Sequence, residues 1–264
     1  MLHMRCDFFS EALQLSTSMT VLLPQRTGAA QIGMGGAVRE QGTPVLYLLH
    51  GLSDDDTIWM RRTSIERYVS ELGLAVVMPQ VHRSYYTDMA HDGGRYWTFV
   101  AEELPELVGS SFAVSTRRED AFVAGLSMGG YGALKLALRH PDRFAAAGSL
   151  SGALDVVAMK RAGQRPELIG NVWGDDGPEG TGDDLLALLE RADPATLPAL
   201  WTSCGTGDAL VEHQRTFVGA ARTRGIDVTA EEHPGEHRWD YWDTHIQRLL
   251  AWLPLDDDRR AGHA

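Results

Sequence analysis

The segment Gly125-Leu126-Ser127-Met128-Gly129 is the only place in the chain where a serine occupies the centre of a G-x-S-x-G pattern. A serine hydroxyl is a weak nucleophile until a base removes its proton and the backbone exposes its oxygen. An apolar run at 121–126 precedes this serine, a helical pattern follows it, and the flanking glycines permit a sharp turn between them. The pattern predicts a nucleophilic Ser127, and the alternative is an ordinary connection that happens to contain a serine.

A histidine base and an acid that orients it must complete such a site, and on this topology the acid comes before the histidine in the chain. Asp208 follows the apolar run 200–204 across a turn that contains two glycines. His237 follows the next predicted strand, at 228–233. We therefore predict that His237 accepts the proton of Ser127 and that Asp208 holds the imidazole and stabilises its charge.

Each of these roles has a competitor in the sequence. Asp155 is the alternative acid, and His213 and His233 are the alternative bases. His233 and His237 also have the i, i+4 spacing that two zinc ligands show on a helix. Because a proline and a glycine lie between them, that helix is not expected, and we predict no metal site.

Acyl transfer also needs hydrogen-bond donors for the negative oxygen that develops in the transition state. The backbone amides of Met128, directly after the serine, and of Leu52, in the turn His50-Gly51-Leu52, are the predicted donors. The three aspartates at 54–56 could bind a cation, but we interpret them as a solvated acidic loop that caps a helix.

Short apolar runs alternate with amphipathic segments along most of the chain, which is typical of an α/β fold. Runs at 5–15 and 18–23 read as antiparallel strands. Further strands are predicted at 45–49, 74–78, 121–126, 145–150, 200–204 and 228–233. Helices are predicted at 61–71, 97–108, 128–139, 185–191, 211–222 and 245–252. The expected fold is a mostly parallel central sheet with N-terminal antiparallel strands and helices on both faces.

A single domain is expected to span 1–264, because α/β proteins of 264 residues often form one core. The glycine-rich stretch 155–184 interrupts the alternation, and we interpret it as an insertion over the active site. A second glycine-rich stretch, 28–42, lacks the G-x-G-x-x-G spacing of a dinucleotide site, so no cofactor is predicted. The polar tail 256–264 is expected to be frayed.

The composition excludes several classes of partner. A formal net charge of −12 and an isoelectric point near 5.2 repel nucleic-acid phosphates and anionic lipids, so neither nucleic acid nor a membrane is an expected partner. The two cysteines, Cys6 and Cys204, match neither a disulfide framework nor a zinc motif. With acidic residues inside the segment 1–19 and no signal-peptide pattern, the expected location is cytoplasmic. A homo-oligomer is left open.

These motifs together resemble the esterase D family of α/β-hydrolases, and most closely its bacterial tributyrin-esterase branch. The resemblance spans nearly the whole chain, and it rests on the order and number of the motifs rather than on any one of them. The motifs are Leu49-His50-Gly51-Leu52, Trp59, Arg62-Thr63, Glu66-Arg67, Val77-Met78-Pro79, Tyr86-Thr87-Asp88, Glu102-Glu103-Leu104-Pro105, the Ser127 segment through Gly132, Ser151-Gly152-Ala153-Leu154, Cys204-Gly205 with Asp208, and His237 with Tyr241-Trp242.

The resemblance assigns the same residues as the spacing does: Ser127 as nucleophile, Asp208 as acid and His237 as base, with the oxyanion amides on Leu52 and Met128. S-formylglutathione hydrolases of the wider family carry a Thr-Cys pair after their His-Gly motif and a His-Ser-Met elbow. This chain has Ser53-Asp54 and Leu126-Ser127-Met128 at those places, which favours a small ester over a glutathione thioester.

We therefore expect a cofactor-free carboxylesterase that hydrolyses small, short-chain acyl esters through an acyl-Ser127 intermediate. Tyr86, Trp97 and the insertion 155–184 are expected to shape its acyl pocket. Thioester hydrolysis, S-formylglutathione included, and acyl transfer to an acceptor other than water are the alternatives. A binding protein without catalysis is disfavoured because every residue type of the triad is present.

Overall fold

Eight strands form one sheet in the computed structural model, which describes residues 1–25, 42–91 and 93–255. The strands are β1 (Leu2–Ser10), β2 (Leu15–Leu23), β3 (Val45–Leu49), β4 (Ala75–Pro79), β5 (Ala121–Leu126), β6 (Ala146–Leu150), β7 (Ala199–Gly205) and β8 (Val228–His233). Their order across the sheet is β1-β2-β4-β3-β5-β6-β7-β8. The predictions for residues 26–41, which include most of the glycine-rich loop 28–42, and for the tail 256–264 lie outside the described residues.

The strand directions confirm the predicted mostly parallel sheet. β1 and β2 pair antiparallel, and β2 joins β4 antiparallel. Every pairing among β3 to β8 is parallel, so their carboxyl ends meet at one edge. Ligands bind at that edge in open parallel sheets, because the loops that follow the strands converge there.

Helices cover both faces of the sheet, as predicted. Successive residues of β5 show the alternation, since Val123 belongs to the core on one face and Phe122 and Ala124 to the core on the other. The α-helices are α1 (Ile58–Arg62), α2 (Ile65–Ser70), α3 (Tyr96–Thr98), α4 (Leu104–Ser111), α5 (Met128–Arg139), α6 (Val156–Arg161), α7 (Pro166–Trp173), α8 (Leu185–Arg191), α9 (Val211–Thr223) and α10 (Trp239–Trp252).

Two of the predicted helices are interrupted. The helix predicted at 61–71 is broken at Thr63, whose hydroxyl donates to the Trp59 carbonyl at 2.6 Å and accepts from the Ile65 amide at 3.1 Å. Such local bonds compete with the helical ladder. In the helix predicted at 97–108, a π-helical turn, Phe99–Glu103, separates α3 from α4. Pro105 supplies no amide hydrogen just after it, so this ladder is incomplete.

The C-terminal helix starts earlier than predicted, at Trp239 rather than at residue 245. The stretch 155–184, predicted as an insertion over the active site, contains α6 and α7. Since the described residues hold one sheet with a core on each face, we propose that the chain forms a single domain. Within the described ranges, none of the helices has both the length and the apolar composition that crossing a bilayer requires.

Candidate active site

Ser127 occupies a strained turn between β5 and α5, at the carboxyl edge of the sheet. Its φ of 53° and ψ of −116° lie in a region that side chains other than glycine rarely adopt. A Cβ on Gly125 would lie 2.5 Å from the carbonyl of Gly129, and a Cβ on Gly129 would overlap the carbonyl oxygen of Leu49. The two glycines are therefore required by the close approach of the backbones around the serine.

A chain of hydrogen bonds joins Ser127 to His237 and Asp208. The Nε2 atom of His237 lies 3.1 Å from the Ser127 hydroxyl oxygen. Its Nδ1 lies 2.8 Å and 3.1 Å from the two carboxylate oxygens of Asp208. The structure thus brings together the three residues predicted from their order in the chain, with the imidazole between the hydroxyl and the carboxylate.

The surroundings of Asp208 favour its negatively charged form. Burial by itself raises the pKa of this carboxyl, but the hydrogen bond with His237 and one from the Leu210 amide at 2.8 Å outweigh it and keep the pKa below its usual value. Asp208 therefore remains an anion at neutral pH and can stabilise a positive charge on His237.

Trp242 and Ser151 support the orientation of the His237 ring. The indole of Trp242 packs edge-on against the His237 ring, with centroids 4.9 Å apart and an angle of 88°. Its Nε1 donates to the Ser151 hydroxyl at 3.1 Å. The sequence motifs contain both residues, but no pattern in them predicts this support, because β6 and α10 meet only in the fold.

Leu52 and Met128, whose amides are the predicted oxyanion donors, lie close to Ser127 in the structure. Leu52 lines the cavity at Ser127, and Met128 is the first residue of α5, where an amide has no acceptor within its own helix. Among the described residues neither amide has a backbone or side-chain acceptor.

His50 and Tyr86 hold the turn that carries Leu52. The Nε2 atom of the buried His50 accepts from the Val81 amide at 3.1 Å, so Nδ1 bears the hydrogen and donates to the Gly51 carbonyl at 2.7 Å. Burial lowers the pKa of His50, which favours this neutral ring. The Tyr86 hydroxyl donates to the His50 carbonyl at 2.9 Å.

The positions of Tyr86 and Trp97 correct the expectation that they line the acyl pocket. Tyr86 is fully buried beneath the turn described above, where its hydroxyl is already engaged. Trp97 stacks on His140 at 5.5 Å and lies 3.8 Å from the guanidinium of Arg139, away from Ser127. Residue type and chain order do not determine where these side chains point, and tertiary packing turns them into the core.

The cavity at Ser127 has a volume of about 860 Å³. Leu52, Leu126, Trp239 and other apolar residues form much of its wall. The stretch 155–184 borders it through Met159, Gln164 and Arg165. No local pattern in the sequence identifies these three residues as neighbours of Ser127. They lie in the segment after β6, and only the folding of that segment brings them to the cavity.

The competing residues have other contacts. Asp155 caps α6, accepting from the Ala158 amide at 2.8 Å. His213 Nδ1 accepts from the Asp155 amide at 3.2 Å, and His233 lies 3.1 Å from Glu231. In the acidic loop, Asp56 is buried and accepts from the hydroxyls of two residues in β2. None of these groups replaces Asp208 or His237 beside Ser127.

The sheet order, the strained serine turn and the loops at its carboxyl edge define an α/β-hydrolase fold. The chain belongs to the Esterase family, whose model, described as "Putative esterase", matches residues 10–253. Family and fold together make it a carboxylic ester hydrolase, and they confirm the resemblance to esterase D-like proteins.

Individual relatives cover nearly the whole chain. An "Acetyl esterase" of Caldicellulosiruptor saccharolyticus is 29% identical over 97% of this chain and 99% of its own. The Staphylococcus aureus fluorophosphonate-binding serine hydrolase FphF has a TM-score of 0.85 and 32% identity, covering 97% and 99% of the two chains. The S-formylglutathione hydrolase FrmB of Staphylococcus aureus has a TM-score of 0.81 and 33% identity, covering 96% and 98%.

Proposed function

We propose that the protein is a serine carboxylesterase that hydrolyses short-chain acyl esters, with Ser127 as nucleophile, His237 as general base and Asp208 as the acid that orients it. The observation that carries the proposal is the hydrogen-bonded chain from the Ser127 hydroxyl through both nitrogens of His237 to Asp208. The acetyl esterase relative supports a small acyl group.

The first half of the reaction forms an acyl-enzyme. The Ser127 oxygen attacks the ester carbonyl carbon while His237 Nε2 takes the serine proton, and Asp208 stabilises the imidazolium. The carbonyl electrons move onto its oxygen, which the amides of Leu52 and Met128 stabilise. When the carbonyl reforms, the bond to the alcohol oxygen breaks and His237 returns the proton to the leaving alcohol.

The second half regenerates the enzyme. A water molecule gives its proton to His237 Nε2 and attacks the acyl carbon, and the same two amides stabilise the second negative oxygen. The acid product leaves as the Ser127 oxygen regains the proton from His237. Because Asp208 and His237 act in both halves, one arrangement serves acylation and deacylation.

Turnover of p-nitrophenyl esters from acetate to decanoate by wild type and by Ser127→Ala tests this function. We expect hydrolysis that is fastest for the short chains and falls at least about a thousandfold in Ser127→Ala. A wild type inactive on every chain length would disprove the esterase, and an active Ser127→Ala would disprove the nucleophile.

Thioester hydrolysis is a second candidate, because the S-formylglutathione hydrolase relative is 33% identical to this chain. Adding S-formylglutathione to the panel compares the two substrates by kcat/KM. Adding an alcohol acceptor and measuring the transesterified product tests acyl transfer. The proposal expects hydrolysis of the oxygen ester to exceed both.

A further inference from the structure

Two arginines in the wall of the cavity have no partner for their charge among the residues that the structure describes. Arg83, in the loop after β4, and Arg165, just before α7, both line the cavity that contains Ser127. Across the described ranges of the chain, neither guanidinium forms an ion pair or a hydrogen bond. Both arginines are exposed, and they bring positive charge to this cavity although the whole chain carries a net charge of −12.

The hydroxyl of Tyr85 lies within the field of both arginines. Tyr85 lines the same cavity, and its ring is packed against Trp173 at 5.1 Å and Tyr131 at 5.8 Å. Burial raises the pKa of this hydroxyl, while the charges of Arg165 and Arg83 oppose the rise. A fixed phenol hydroxyl near two guanidiniums is an arrangement of donors that suits an anion with several oxygen acceptors.

Strained backbone occurs at Arg165 and in the loop that carries Arg83. Arg165 has a φ of 45° and a ψ of 54°, a left-handed conformation, although it precedes Pro166. In the other loop, Tyr85 and Tyr86 have φ values of 51° and 52°. The buried ammonium of Lys135 donates to the Tyr86 carbonyl at 2.8 Å and holds this loop. Strain of this kind persists where the surrounding structure enforces it, and it often marks a binding site.

Neither carboxylate of the cavity wall forms an ion pair with Arg83 or Arg165 in the part of the chain that the structure describes. Asp208 is buried and bonded to His237. Asp54, the other carboxylate in the wall, has its pKa raised by burial, which disfavours its charged form. The third arginine, Arg238, lies 3.6 Å from Asp240. The guanidiniums of Arg83 and Arg165 are therefore not neutralised by an ion pair within the described residues, and their charge would attract a bound anion.

We propose that Arg83 and Arg165 bind an anionic group of the substrate, a carboxylate or a phosphate, so that the preferred ester carries such a group at a distance from its reacting carbonyl. The inference rests on the proposed esterase function, and it narrows the substrate class. Two guanidiniums, each with parallel N–H donors, match the oxygens of either group.

Matched ester pairs test the proposal and locate the anion. Mono-p-nitrophenyl glutarate against p-nitrophenyl valerate places a carboxylate on the acyl side. p-Acetoxybenzoate against p-acetoxybenzamide places it on the alcohol side, and p-acetoxyphenyl phosphate against p-acetoxyanisole replaces it by phosphate. In each pair, kcat/KM for the anionic ester is divided by kcat/KM for the neutral one. The quotient isolates recognition of the anion from the efficiency of the triad.

We expect wild type to prefer the anionic ester in at least one pair. Arg83→Gln and Arg165→Gln should each lower that quotient about threefold to tenfold. Arg83→Lys, which keeps the charge, should retain part of the preference. Arg222→Gln, a change of the same charge on the exposed face of α9, should leave the quotient unchanged.

A quotient that is unchanged in the Arg83→Gln/Arg165→Gln double variant would overturn the proposal, and so would a wild type that prefers the neutral ester in every pair. Turnover of the neutral esters separates this result from a failure of the esterase function itself. If wild type hydrolyses no ester, titration calorimetry measures the binding of glutarate and of inorganic phosphate to wild type and to the double variant. Binding lost in the double variant supports the proposal, and equal or absent binding in both proteins overturns it.

Discussion

The hydroxyl of Tyr86 donates a hydrogen bond to the carbonyl of His50 across 2.9 Å, beneath the turn that carries the Leu52 amide. From this contact we infer a positioning role for Tyr86, which is not among the residues that line the cavity. It also links the strained loop after β4 to the donor that the proposed mechanism assigns to the negative oxygen.

Replacing Tyr86 by phenylalanine removes that single bond and keeps the ring. We expect kcat for p-nitrophenyl acetate to fall about threefold to tenfold with KM nearly unchanged, because the misplaced amide stabilises the transition state less than before. Tyr47→Phe is the matched control, since Tyr47 is also buried but lies in the middle of β3. Equal losses in the two variants, or a change in KM alone, would contradict the positioning role.

The acid is tested by comparing two aspartates. Asp208→Asn keeps the shape of the side chain but withdraws the charge beside His237, and we expect kcat to fall about 10³–10⁴-fold. Asp155→Asn should retain most activity, because Asp155 serves as the N-cap of α6. Steady-state kinetics of both variants decide the point, and the reverse order of effects would transfer the role to Asp155.

The close packing around the Ser127 turn predicts that two glycine-to-alanine changes differ greatly in their effect on stability. Gly129→Ala places a Cβ against the backbone of Leu49, so we expect the free energy of unfolding to fall by about 2–3 kcal/mol. Gly219→Ala, in α9 with open space around its Cα, should raise it by about 0.5–1 kcal/mol. Urea denaturation measures both, and a Gly129→Ala protein as stable as wild type would refute the packing argument.

Lys135 predicts a pH dependence of stability. Burial lowers its pKa from 10.5 to about 8, although the carboxylate of Asp183 at 2.6 Å opposes the shift. Between these two pH values the unfolded chain binds more protons than the folded one, so raising the pH stabilises the folded state through this group. Below about pH 8 both states hold the proton and this contribution is constant.

The measurement compares wild type with Lys135→Met. The free energy of unfolding of wild type minus that of the variant should rise as the pH increases from 8 toward 10.5. The subtraction removes the titration of the other groups that the two proteins share. A difference that falls over this interval would mean that the ion pair with Asp183 outweighs the burial of the ammonium.

The sequence predicted those parts of the fold and site that depend on local patterns. The turn around Ser127 is recognisable because the two glycines lie within five residues of each other, and the central strands because they are continuous apolar runs. Asp208 and His237 were predicted because each follows a strand in the required order. In the structure these three residues are joined by hydrogen bonds.

Contacts between distant segments account for what the sequence did not predict. Tyr86 and Trp97 were placed in the pocket by residue type, but the burial of one and the stacking of the other depend on partners far along the chain. Thr63 interrupts a helix that the pattern continues, since its hydroxyl competes for the backbone. Arg165 lies beside the cavity only because α6 and α7 return toward it.

Covalent labelling is the most direct test of Ser127 as the nucleophile. The protein is treated with diethyl p-nitrophenyl phosphate, its residual turnover of p-nitrophenyl acetate is followed, and the modified residue is located by peptide mass spectrometry. We predict one diethylphosphoryl group, on Ser127, formed in proportion to the activity lost, and no labelling of Ser127→Ala. A label on another residue, or full activity in protein that is completely modified at Ser127, would contradict it.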